Sequence, residues 1–173
     1  MQRFSAARKV TAPSRFLTGS LSAFSISCVG YIRLDPLALG DTPVEDGERL
    51  ARVVLTNKHV RKESMTPKPE AFLPFKHVEL SVIRHRELSE GELWEIGYDV
   101  AAKRGRPLVG RADFTALDAR LQNLDVVPSE GPELPRNHAN IVGWPSEKPA
   151  QMLRAVELAA AATFVEAPAP AKS

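Results

Sequence analysis

Residues 78–105 read VELSVIRHRELSEGELWEIGYDVAAKRG, and the change of period inside this stretch decides the fold class. At its start Val78, Leu80 and Val82 alternate with Glu79, Ser81 and Ile83, the period of two of a strand with one apolar face. Further on, Leu93, Ile96, Gly97, Val100 and Ala101 recur at spacings of three and four, which lays one apolar stripe along a helix. The switch between the two periods is marked. Ser89 stands three residues before Glu92, the spacing of a capping box, and Leu88 and Leu93 are placed to form a hydrophobic staple. Gly105 just past Arg104 is a natural helix stop. The pattern predicts a strand over 78–83 and a helix over about 90–103. Trp94 and Tyr98, four apart, border the stripe and can stack on each other over the edge of a sheet.

Working outward, residues 50–55 carry Val53, Val54 and Leu55 in succession and predict a strand. A donor-rich polar loop follows over 56–64. Pro67, Pro69 and Pro74 make 65–75 extended and hostile to helix. Downstream, 107–109 can form a short strand, and Asp113 can cap a helix over 114 to about 122. Residues 125–127 give another short strand, and Pro128, Gly131, Pro132 and Pro135 mark an irregular loop. Residues 138–143 read as a strand ending at Trp144-Pro145. The last helix is expected from about 147 to 164, helped by the alanines of 159–162. Short strands alternating with helices predict an α+β fold: a small mixed sheet of about four to five short strands with two to three helices packed across it.

The 173 residues fit one domain plus tails, with an apolar fraction of 43 % that can fill one core. No acid occurs before Asp35, whereas Arg3, Arg8, Lys9, Arg15 and Arg33 all fall there. Three readings of that basic opening stay open: an arm, an organelle transit peptide, or translated sequence ahead of the true start. The expected organisation is a basic, irregular extension and linker over 1–47, a single α+β domain over 48–165, and a disordered tail over 166–173. Cys28 is the only cysteine, so no internal disulfide can form and a reducing, cytoplasmic setting is expected. A net charge of +2 permits an anionic partner without requiring one. No run approaches the roughly 18 apolar residues of a membrane span.

Four clusters could carry chemistry. Arg136-Asn137-His138-Ala139-Asn140 offers a guanidinium, two amides and an imidazole between a loop and a strand that ends in Trp144, groups suited to a phosphate or carboxylate. The competing reading has His138 bonding a neighbouring turn and stabilising the fold. Arg84-His85-Arg86 lies between strand and helix cap, where Arg84 could meet an anion at the helix N-terminus; solvated strand ends also attract Arg and His. Asn57-Lys58-His59-Val60-Arg61-Lys62 places a second imidazole, His59, among cations. Lys103-Arg104-Gly105-Arg106-Pro107 resembles the core of an AT-hook, whose arginines enter the minor groove, but the same residues suit a helix C-terminus.

No phosphate-binding glycine loop, zincin motif, nucleophile elbow or cysteine–base pair occurs, and no His spacing supports a metal. No cofactor is expected. The stretches 79–84, 92–97 and 138–145 have the general look of small bacterial proteins, a likeness that implies no family and no activity. The leading expectation is an accessory or interaction domain without catalysis. The alternative is a domain or enzyme that binds a phosphate, nucleotide or nucleic acid. In it, Arg84 and Arg136 clamp the anion, Asn140 orients it, Trp144 is a further ligand-binding residue, and His138, with His59 as second candidate, moves a proton; Lys103, Arg104 and Arg106 would meet nucleic acid. The partners allowed are a protein, a small anion or a nucleic acid, and no membrane.

Overall fold

A computed structural model describes residues 42–74, 76, 78–129 and 131–169. Expectations that concern residues 1–41, including the basic opening and Cys28, lie outside the described residues.

In chain order the elements are β1 (Arg49–Val54), β2 (Val60–Arg61), β3 (Thr66–Pro67), β4 (Leu80–Arg84), α1 (Glu90–Lys103), β5 (Gly110–Thr115), α2 (Ala116–Arg120), β6 (Asp125–Pro128), β7 (His138–Val142), α3 (Lys148–Ala161) and β8 (Thr163–Glu166), with 3-10 turns at Asn57–His59 and Pro69–Phe72. Six strands form one antiparallel sheet in the order β6-β7-β4-β1-β5-β8, and β2 and β3 form a separate small ribbon. The chain is a small α+β domain, as the strand-to-helix switch implies. Among the described residues no helix is long and apolar enough to cross a membrane.

One face of the sheet carries the main core. Leu50 and Val54 of β1, Leu80 and Val82 of β4, Ala112 and Phe114 of β5 and Ile141 of β7 all point there and meet Phe72, Ala155 and Leu158. Phe72 meets Phe114 edge-on, with centroids 5.6 Å apart, a preferred aromatic arrangement. The opposite face is covered by α1, whose Leu93 packs on Ala51 and Ile83 with Val53, Leu88 and Ile96 around them.

The α1 boundaries are those the sequence predicts. Ser89 Oγ accepts from the Glu92 backbone N–H, and the Glu92 carboxylate accepts from the Ser89 N–H at 2.8 Å, closing the capping box. At the other end Gly105 N–H bonds to the Ala102 carbonyl and Arg106 N–H to the Ala101 carbonyl, both at 3.0 Å, with Gly105 at φ +59°. This is the left-handed stop for which glycine carries no steric cost.

Elsewhere the chain departs from expectation. The helix expected over 114–122 is shorter and capped by Thr115, because 110–115 is a central strand of the sheet. The short strand expected at 107–109 is the approach to it. The last helix stops at Ala161, and 163–166 pairs with β5 as a sheet edge. Residues beyond it are also tied down: Ala167 N–H bonds to the Val109 carbonyl at 3.0 Å, and the Tyr98 hydroxyl donates to the Pro168 carbonyl. Tyr98 is therefore not stacked on Trp94. Residues 42–47, expected to be linker, join the packed structure: Val44 lies in the core, and the Thr42 and Pro43 carbonyls accept from Arg84 at 2.9 and 3.5 Å.

Candidate functional site

Two charged assemblies stand out, one neutralised within itself and one not. The first lies on the α1 face. The Asp113 side chain is 3 % exposed and accepts from Arg111 Nε at 3.0 and 3.1 Å and from Arg49 Nη2 at 3.1 Å. His85 Nε2 lies 3.4 Å from Asp113 Oδ1. Arg111 then forks onto Glu90 at 2.8 and 2.9 Å and lies over the Trp94 ring, 4.4 Å from its centroid. Burial pushes the Asp113 carboxyl up, but His85 and Arg111 outweigh it and hold the group below its ordinary value. Burial likewise opposes the charge of Arg111, and Glu90 and Asp113 more than restore it. The domain thus contains a buried Arg/Arg/His/Asp network in which two carboxylates offset two guanidiniums. It ties the first turn of α1 to β1, to β5 and to the residue that follows β4.

The residues singled out around His138 do not gather into one site. Ile83 is paired with His138 across β4 and β7, and paired residues share a face, so Arg84 and His138 point to opposite faces of the sheet. Arg84 is 2 % exposed and is held by Glu48, with Nε to Oε1 at 2.6 Å and Nη2 to Oε2 at 2.9 Å. Its donors are spent inside the fold. His138 is buried, its Nδ1 donates to the Ser129 carbonyl at 3.2 Å, and burial lowers its pKa. Arg136 pairs with Glu92 at 2.8 Å on the surface. Asn140 donates to Glu79 at 2.9 Å. Trp144 donates its indole N–H to the Ile141 carbonyl at 3.0 Å and packs against the main core. Lys103 reaches the Glu133 carbonyl at 3.3 Å.

The second assembly comes from a break in the sheet. β1 and β4 pair only at Leu50↔Arg84 and Ala51↔Ile83, whereas β1 pairs with β5 along all six residues. Beyond Ala51 the two central strands separate, and Arg52 occupies the gap. Its Nη1 donates to the Ser81 carbonyl at 2.9 Å and its Nε to the Ala71 carbonyl at 3.0 Å. The hollow at this fork measures about 450 Å³ and brings Arg52, Thr56, His59, Ser81, Arg104 and Arg106 together. Glu79 is the only carboxylate lining it among the described residues. Burial and the charge of Arg104 pull Arg52 down to about 10. Burial, Arg52 and Arg106 lower His59, which Glu70 only partly offsets.

Thus His59, Arg104 and Arg106, which the sequence places in two separate clusters, share one hollow. Arg52 was missed; its only signal is a lone cation inside an apolar strand. The Arg104-Gly105-Arg106 segment is folded into the α1 stop. Among the described residues no three His, Cys, Asp or Glu side chains group so as to hold a metal ion. Comparison of the chain with family models, with curated proteins and with solved structures finds no match.

Proposed function

We propose that the domain binds a small phosphate-bearing anion in the fork between β1 and β4. One observation carries the reading: Arg52, Arg104 and Arg106 face a common hollow in which Glu79 is the one carboxylate among the described residues, and Arg52 is lowered first by burial and then by the charge of Arg104. Like charges held together in the unliganded fold are relieved by an anion, which turns their repulsion into affinity. The C-terminal end of α1 opposes an anion with about half a negative charge, which the three guanidiniums outweigh. Thr56 and Ser81 line the same hollow and supply hydroxyl donors, and its volume lies in the range of small-ligand pockets. The Asp113 network offers the same class of ligand a weaker foothold, through Arg49, whose side chain is 61 % exposed.

Titration with inorganic phosphate, diphosphate and a nucleoside triphosphate, followed by amide chemical shifts and melting temperature, tests the reading. Binding is expected to shift the amides of 52–56 and 104–106 and to raise stability in step with ligand concentration. Arg104→Ala with Arg106→Ala should abolish both effects while leaving the unliganded melting point nearly unchanged, since both side chains are exposed. Affinity should also fall as pH rises through about 10, where Arg52 loses its charge. Shifts confined to Arg49 and His85 would move the site to the Asp113 network, and no shifts at all would end the proposal.

A further inference from the structure

The fork does not end at its cations. Arg52, Val53, Ser81, Val100 and Arg104 also line a second, smaller hollow of about 150 Å³ that runs beneath α1. The remaining walls of this annex are different in kind: Ile83 of β4 and Leu134 and Pro135 of the loop before β7 are apolar. His138 lies along it as well, and the exposed Lys103 and Glu133 flank it. A cationic chamber and an apolar chamber therefore share a wall made of the same five residues.

Resting on the phosphate reading above, we infer that the natural ligand is an amphiphile, a phosphate monoester whose short apolar group enters the annex while the phosphate stays with Arg52, Arg104 and Arg106. Bare phosphate uses one chamber and leaves the other to water. Apolar walls give water few partners, so displacing it with hydrocarbon is favourable. At roughly 30 Å³ for each group of water size, the annex holds about five methylenes. Among the described residues no Phe, Tyr or Trp lines either hollow, so the large aromatic platforms on which bases usually stack are not among them. This favours an alkyl or branched aliphatic group over a nucleotide.

Isothermal titration of the full chain with inorganic phosphate, ethyl, butyl, hexyl and decyl phosphate, and hexanol tests the inference. Each methylene that enters should tighten binding by about fourfold, the factor for burying one CH₂. The gain should level off near hexyl phosphate, with hexanol far weaker than hexyl phosphate. Leu134→Trp, at a position 40 % exposed that lines the annex but not the cationic hollow, should remove the gain with chain length and leave inorganic phosphate binding unchanged. Equal affinity for inorganic and hexyl phosphate would overturn the amphiphile while leaving the phosphate site standing. A nucleotide or oligonucleotide that outbinds every alkyl phosphate would also overturn it. Absence of binding by every phosphate would remove both readings together.

Discussion

Arg84 shows how a residue that looks available in the sequence can be fully committed in the fold. It ends β4 on the main-core face, where Glu48 and the carbonyls of Thr42 and Pro43 take up its donors. Removing one partner of such a pair strands the other charge in a poorly hydrated place, at a cost of about 3–5 kcal/mol. Arg84→Ala should lower stability in urea unfolding by that amount and leave phosphate affinity unaltered; an unchanged unfolding midpoint would show that Glu48 is solvated after all. His138 makes its contribution through pH. Burial holds its folded pKa below the ordinary 6.5, so the unfolded chain takes up the proton first. The stability due to neutral His138 is complete above 6.5 and is lost as pH falls through that value toward the lower folded one. His138→Gln should flatten this limb of the stability–pH curve while leaving the curve above 7 parallel to that of the parent chain. Residue chemistry alone could not sort Arg84 from Arg104. Both are arginines near α1, and only the pairing of distant strands sends one into the core and the other to the fork.

At the scale of elements, β8 depends on a single atom's worth of room in β5. A side-chain carbon on Gly110 would come within 2.6 Å of the Phe164 ring and collide with the Val165 carbonyl oxygen. Gly110→Ala should therefore push β8 off the sheet. The expected readout is loss of amide protection over 163–166 and a fall in melting temperature, with α1 protection retained; unchanged protection would mean that β8 slides to accommodate the methyl. α1 was legible because its signals are local: a capping box, a stripe and a glycine stop all lie between Ser89 and Gly105. β8 was not, because the alanines of 159–162 carry helical propensity up to Phe164 and nothing local announces an edge strand. β5 was hidden for another reason. Arg111 and Asp113 alternate with Ala112 and Phe114, which looks like a solvated face, yet the network beneath α1 buries both. The fork was illegible for the same cause as β8, since it exists only where two distant strands fail to meet.

On the scale of the whole molecule, the sheet is two three-stranded blades. One is β6-β7-β4 and the other β1-β5-β8, and they are fastened at Leu50↔Arg84 and Ala51↔Ile83, with the His85 N–H bonded to the Arg49 carbonyl at 2.9 Å beside them. Leu93 of α1 packs over that fastening, with Leu88 and Ile96 beside it. The Asp113 network and the Arg84–Glu48 pair sit at the same end. The opposite end is spanned by one side chain, Arg52. A plate joined at one corner is stiff there and compliant at its open mouth, like the jaws of tongs gripped near the pivot. Hydrogen exchange should reproduce that gradient, slow at Leu50 and Ile83 and faster at Val53 and Ser81, with the mouth slowing when phosphate is added. Uniform protection along β1 would mean that the blades move as one. The Arg52 strut would then take on a mechanical role: bound as proposed, an anion that draws on its guanidinium would pull on Ser81 across the gap, and occupancy of the mouth would set how far the jaws stand apart.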